Sequence, residues 1–276
     1  MSDAGLGEGA IRLHLRTPTL PPATATNTLI LGGSRLCVIE PATPFPRERS
    51  VLDDRIAQLA ADGRRVEAVL LTHHHVDHVG YAEALAQRLG VPIHAHEKTA
   101  ERVDFDVDVS WEDGAKLDLG EGYLIEAVFT PGHAPGHLVF HERKTGLAYA
   151  GDMVAAEGTI LIDPEDDGDM AAYLRSLAKL KALGARALVP SHGQVLEDPV
   201  AVVDHYVAHR LKREGKVLAA LGDGPMTDED LLARVYDDTP KALWPLAARS
   251  LEAHLRKLES ETRVARDAVM TTRLDG

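Results

Sequence analysis

Thr72-His73-His74-His75-Val76-Asp77-His78 follows directly on the apolar, strand-like run Val66-Glu67-Ala68-Val69-Leu70-Leu71. Imidazole and carboxylate together suit borderline-soft ions, so this stretch points to Zn²⁺ or another first-row metal. His73, His75, Asp77 and His78 spell H-x-H-x-D-H, an order in which one tight loop offers two ligands to one ion and two to a neighbour. A solvated histidine tag belongs at a flexible chain end. This stretch sits instead between a strand and the helical pattern of residues 82–89.

A metal pair needs more ligands than one loop supplies, and three further strand ends provide them. Tyr123-Leu124-Ile125-Glu126-Ala127-Val128-Phe129-Thr130 reads as a strand that turns out through Pro131-Gly132-His133. Leu147-Ala148-Tyr149-Ala150 delivers Gly151-Asp152, and Ala187-Leu188-Val189 is followed by Pro190-Ser191-His192-Gly193. Each polar residue follows a short apolar run beside a Gly or Pro that lets the chain turn sharply. Strand ends are where open α/β sheets place their sites.

These residues, in this order and at about these intervals, resemble the metallo-β-lactamase superfamily of binuclear metallohydrolases. The resemblance spans roughly residues 25 to 200 and rests on His73, His75, Asp77, His78, His133, Asp152 and His192. It implies a four-layered αβ/βα sandwich holding two divalent ions, Zn²⁺ first, with Fe or Mn as substitutes. His73, His75 and His133 would hold the first ion, Asp77, His78 and His192 the second, and Asp152 would bridge them. Tyr81 departs from the pattern, which commonly continues with a second Gly after Gly80; packing is the expected role. His137 is the rival to His133 on spacing, and the family pattern assigns the ligand to His133.

Two cations sharing an oxygen make hydroxide from water near neutral pH and polarise the oxygen of a carbonyl or phosphoryl group. Asp77 is then the catalytic residue, as ligand and orienter of the water. Cys37 lies in the apolar run Arg35-Leu36-Cys37-Val38-Ile39 and reads as a buried, inert thiol. His74 is expected beside the ligands, His94 and His96 in structural roles, and His14, His141, His205, His209 and His254 without identifiable partners.

The 276 residues suit two domains, divided here as 1–208, catalytic, and 209–276. Residues 1–9 lack the blocks of a secretory signal, and no run approaches the length of a membrane span. One cysteine excludes an internal disulfide, so a cytoplasmic location is expected. Residues 41–46 read as a rigid loop before a helix over residues 50–61. The acidic run at 104–108 reads as a solvated loop; that at 163–169 could rim the site but reads more safely as a loop and N-terminus of a helix over residues 170–183.

Beyond residue 200 the texture is helical: residues 200–221, then 228–236 capped by Thr227, then 244–260, with a short strand over 262–266. This order resembles a winged helix, as in the branch of the superfamily that includes endoribonucleases of single-stranded RNA and thioesterases of polyketide pathways. His209-Arg210, Arg213-Glu214 and the segment from His254 to Leu258 resemble that branch's appendage. Residues 209–276 hold 12 basic and 12 acidic side chains, against 18 and 31 in the first 208. Neither part has the bulk basic footprint of a nucleic-acid binder, although Arg249, Arg256, Lys257, Arg263 and Arg266 could form a local patch.

Three functions follow as expectations. The first is hydrolysis of a small-molecule ester, thioester, lactone or amide. The second is cleavage of single-stranded RNA. The third is a DNA-binding regulator with a structural metal, which fits poorly because structural zinc sites are closed four-ligand sets. Antibiotic hydrolysis is not favoured, because by the resemblance a bridging carboxylate such as Asp152 accompanies the thioesterase, lactonase and nuclease branches. A homo-oligomer is compatible with the helical appendage; a membrane partner is not expected.

Overall fold

The computed structural model describes residues 6–267 and 269–274; residues 1–5 of the stretch read for a secretory signal lie outside them. Two sheets form the centre. The first runs in order β1 (Ala10–Arg16), β2 (Ala25–Gly32), β3 (Arg35–Ile39), β4 (Arg65–Leu70), β5 (Ile93–Ala95) and β6 (Val109–Ser110). Its first three strands are antiparallel, and β3 to β6 are parallel. The second contains β7 (Lys116–Gly120), β8 (Tyr123–Phe129), β9 (Leu138–Glu142), β10 (Leu147–Gly151) and β11 (Ala187–Pro190), in spatial order β11-β10-β9-β8-β7. Only the β10/β11 pair is parallel.

The two sheets face each other across a core of Leu29, Leu31, Ile39, Leu70, Ile125, Phe140, Tyr149 and Val189. The outer face of the first sheet is covered by α1 (Pro46–Ala61) and α3 (Ala82–Leu89), through Leu52, Ile56, Leu59 and Leu85. The outer face of the second is covered by α5 (Met170–Ala182) and the first half of α6 (Pro199–Leu221), through Tyr173, Leu177, Leu180 and Val203. Helix, sheet, sheet, helix is the expected four-layer sandwich. Because both faces of each sheet are covered, β2, β9, β10 and β11 are buried along their whole length. Between the outer helices lie two single turns, α2 (Val76–Val79) and α4 (Glu97–Ala100).

The helix expected over residues 50–61 begins four residues earlier, at Pro46. A proline at the first helical position gives up no hydrogen bond and presets φ, so the last proline of the supposed loop opens the helix.

Beyond the sandwich, the second half of α6 packs with α7 (Asp228–Val235) and α8 (Trp244–Ser260) around Val217, Leu221, Leu231, Leu251, Leu255 and Leu258. Thr227 caps α7 as expected, its hydroxyl accepting from the Asp230 N–H. The expected strand is β12 (Val264–Arg266), and it pairs with a second, β13 (Thr271–Arg273), to complete a wing. The division set between residues 208 and 209 falls inside α6, which runs unbroken from one core into the other.

Candidate metal centre

All four ligand-bearing loops leave the carboxyl ends of their strands at one rim of the sandwich. After β4, Thr72 and His73 are fully buried, and the turn α2 swings Asp77 and His78 back over the rim. Gly80 closes that turn against the loop after β3, where an added Cβ would lie 2.6 Å from the Ala42 carbonyl oxygen. Gly151, at φ +54°, ends β10 where a Cβ would meet His137 Nε2 at 2.4 Å. Neither place admits a larger residue without displacing the ligand beside it.

The seven expected residues come together in two overlapping sets. His75 Nδ1 lies 2.9 Å from His73 Nε2 and 3.1 Å from His133 Nε2. Two nitrogens bound to one tetrahedral ion at 2.0–2.1 Å would stand about 3.3 Å apart, close to this spacing. In the second set, His78 Nε2 is 3.6 Å from Asp77 Oδ1 and His192 Nε2 is 3.7 Å from Asp77 Oδ2. Asp152 stands between the sets: Oδ2 is 3.6 Å from His133 Nε2 and 3.7 Å from His78 Nε2, and Oδ1 is 3.5 Å from His192 Nε2.

What faces the rear of each imidazole decides what its front can do. His133 Nδ1 donates to the Leu161 carbonyl at 2.8 Å, and His192 Nδ1 donates to the Ala25 carbonyl at 3.0 Å. His75 Nε2 lies 2.6 Å from Asp166 Oδ2, and His78 Nδ1 lies 3.0 Å from Glu40 Oε2. The Thr72 hydroxyl gives its proton to Glu40, so it accepts from His73 Nδ1 at 2.8 Å. Every rear neighbour is an acceptor. At His73, His75, His133 and His192 the rear nitrogen therefore carries the proton and the front lone pair points inward beside two carboxylates; His78 Nδ1 faces Glu40 without a hydrogen bond to it. His78 Nε2 and Asp152 Oδ1 are buried and have no hydrogen-bond partner, as expected of groups meant for a cation. The residues fit a pair of divalent ions.

The carboxylates draw positive charge into the second set. Burial works against a charged His78, yet Glu40, Asp77 and Asp152 together raise it to about 10. His192 is likewise raised to about 9 by Asp152 in spite of burial. His133, buried and beside His75, is pushed down to about 4. Asp152 is held well below the usual range: burial opposes its charge, and His192 and His78 outweigh burial.

Two carboxylates of the site escaped the sequence reading. Glu40 follows β3 with φ +51°, is fully buried, and accepts from Thr72, from Tyr149 at 2.7 Å and from Ser191 at 3.0 Å. Its only sequence signal is a charged residue ending an apolar strand before Pro41. Asp166 lies in the run 163–169 read as a loop and helix N-terminus; a short 3-10 turn, Pro164–Asp166, brings it onto His75 and within 3.4 Å of His74 Nε2. Asp169 keeps the role expected of that run, as N-cap of α5.

His137 stands behind the site: Nε2 accepts the Asp152 N–H at 3.1 Å, and Nδ1 donates to the Thr130 hydroxyl at 2.8 Å. Tyr81 packs beneath α1, its hydroxyl on Asp53 at 3.0 Å and the Arg49 guanidinium over its ring. His96 caps α4 and stacks on Phe129, and His94 packs edge-on to Trp111. Cys37 is fully buried and its thiol is pushed well up by burial. His14, expected to lack a partner, meets the Asn27 side-chain oxygen at 3.0 Å.

The basic patch foreseen at the C-terminus is neutralised. Arg249 pairs with Asp163, Arg256 with Glu252, Lys257 with Glu214 and Glu261, Arg263 with Glu214, and Arg266 with Asp228 and Glu252. Among the described residues no helix is long and apolar enough to cross a membrane.

Known proteins share both parts. A family profile described as "Metallo-beta-lactamase superfamily" matches residues 21–192, and one described as "Beta-lactamase associated winged helix domain" matches residues 227–270. A "Beta-lactamase-like protein 2 homolog" of Drosophila melanogaster is 31% identical, over 93% of this chain and 89% of its own length. An "Atrochrysone carboxyl ACP thioesterase" of Aspergillus fumigatus is 31% identical, over 78% of this chain and 69% of its own. Among solved structures, a metallo-beta-lactamase family protein from Thermus thermophilus superposes with a TM-score of 0.79 at 25% identity, covering 98% of this chain and 100% of that one. A beta-lactamase domain protein from Burkholderia ambifaria gives 0.85 at 19% identity, over 99% and 95% of the two chains, which speaks to the fold alone.

Proposed function

Because the chain belongs to the metallo-beta-lactamase superfamily and is a hydrolase, we propose that it uses two divalent ions, Zn²⁺ first, to hydrolyse a small-molecule ester, thioester or lactone. His73, His75 and His133 would hold one ion and Asp77, His78 and His192 the other, with Asp152 shared. The observation that carries this reading is the set of five imidazoles converging on Asp77 and Asp152, four of them fixed by an acceptor behind the ring and the fifth, His78, facing Glu40. When bound, the ions supply a nucleophile drawn from water at neutral pH and polarise the oxygen under attack.

The chain's own residues do the rest. Asp77 orients the attacking water from the open side of the site, where its side chain keeps 14% exposure. Asp166 and the Leu161 carbonyl keep His75 and His133 in the binding tautomer. Glu40, fed by three hydroxyl groups, faces His78 from behind. Such outer partners orient ligands and raise their basicity.

A carbonyl substrate is favoured over a phosphodiester on two grounds. Relatives that match most of this chain are named thioesterases. The chain carries a net charge of −13, and Arg249, Lys257 and Arg266 of its appendage are paired with carboxylates. Cleavage of single-stranded RNA is the second reading, supported by the winged helix. A purely structural metal fits badly, since two closed four-ligand sites need eight residues and seven are gathered here. The test is one panel of acyl thioesters and lactones beside a labelled single-stranded RNA, with Asp152→Ala as the control. Metal-dependent thioester or lactone turnover that the variant lacks supports the reading. RNA cutting with the same dependence, and no acyl turnover, overturns it.

A further inference from the structure

Residues 160–168 supply the acceptors behind two of the three imidazoles of the first set, yet this segment belongs to neither sheet. Leu161 presents its carbonyl to His133, and Asp166 its carboxylate to His75. Ile160 and Ile162 root the segment in the core beneath the second sheet. Its outer part is a single 3-10 turn held on itself by the Asp163 carbonyl, which accepts from Asp166 N–H at 3.0 Å and Gly168 N–H at 2.8 Å.

That turn is gripped from two sides: from the sandwich Arg102 donates to Asp167, and further contacts come from the C-terminal helices. Arg249 donates to Asp163 Oδ2 at 2.5 Å and lies 3.8 Å from Glu165 Oε2. Arg256 donates to the Pro164 carbonyl at 3.2 Å. Both stand on α8, and from α6 the buried Arg210 donates to the Ile160 carbonyl. In a helix-turn-helix reader of DNA, the corresponding helix presents its side chains to the groove. Here two of its arginines are turned onto the catalytic domain.

We propose that the appended winged helix is part of the scaffold of the metal centre, with Arg249 and Arg256 as positioning residues that hold residues 160–168 against His75 and His133. The inference rests on the two-ion reading above. It predicts an asymmetry: loosening the clamp weakens the set of His73, His75 and His133, and leaves the set of Asp77, His78 and His192 as it was.

The test uses the full-length, metal-loaded protein and the double variant R249A/R256A. Both arginines are surface residues, so the variant should fold; a thermal melt checks this. Zinc release to a chromophoric chelator is followed alongside amide hydrogen exchange. The expected result is about tenfold faster release of one equivalent, the low end for outer partners of a metal site, with the other equivalent unchanged. Exchange should rise over residues 160–168 alone. R249K/R256K should recover part of both effects, and Glu259→Ala, on an exposed part of α8, should show neither. Unaltered release and exchange in the double variant, or equal acceleration of both equivalents, overturns the inference. Wild-type protein with fewer than two ions overturns the two-ion reading, while exchange over residues 160–168 still decides the clamp.

Discussion

Two buried clusters of charged and histidine side chains lie in this chain, and they are opposites. At the rim of the sandwich, five imidazoles turn one ring nitrogen toward Asp77 and Asp152 and the other toward an oxygen behind them. Between α6 and α8, Glu214 already meets Lys257 Nζ at 2.8 Å and Arg263 at 3.5 Å, and His254, only 1% exposed, has no hydrogen bond on either nitrogen. One cluster gathers carboxylates and ring nitrogens around a shared centre; the other has neutralised itself. Burial and histidine content are common to both. What separates a cation site from an internal ion pair is the direction in which the lone pairs point.

The largest effect that can break this contrast is at the shared carboxylate. Asp152→Ala should lower turnover by on the order of a thousandfold, beyond the 10–100-fold typical of an outer partner, with the fold intact by circular dichroism. A variant that keeps wild-type turnover would remove Asp152 from the centre.

In the self-neutralised cluster the corresponding change is Lys257→Met, which leaves a buried Glu214 short of a cation. Removing one member of a buried pair costs about 3 kcal/mol, read as a drop in the urea midpoint. Metal content per folded molecule should stay the same. Glu40→Gln should do the reverse, weakening metal binding about 10–100-fold by equilibrium dialysis while shifting the urea midpoint far less.

The smallest effect at neutral pH is at His254. Burial, with Arg210, Lys257 and Arg213 close by, lowers it to about 3, although the Glu214 carboxylate lies 4.0 Å away. The unfolded chain protonates near pH 6.5, before the folded one does, so stability is whole above that pH and declines as pH falls from 6.5 toward 3. The slope within the window is about 1.4 kcal/mol per pH unit at most. His254→Leu should remove that part of the slope and leave neutral-pH stability nearly unchanged. An unaltered acid profile would mean that another group sets it.

The sequence was most readable where chemistry and chain geometry coincide. All seven expected ligands sit on loops that leave strand ends, each loop carrying a Gly, Pro or Thr, so the motif and the strand-end rule reinforced each other. The four layers followed from the family resemblance, and the structure bears them out in strands buried on both faces. Glu40 and Asp166 were not readable in this way, because their role comes from contacts 38 and 91 residues away in the chain. A carboxylate ending a strand and an acidic loop are ordinary surface patterns. The pairing of the basic residues between 249 and 266 was unreadable for the same reason: Arg249 finds Asp163 from 86 residues away, and composition cannot anticipate that pairing.

The most direct test of the central claim is metal content per chain by elemental analysis, on wild-type protein and on His75→Ala and His192→Ala. Two equivalents in the wild type and close to one in each variant are the predicted result. A wild-type protein that holds one ion or none after loading, and hydrolyses its substrate at full rate in the presence of a chelator, would contradict it.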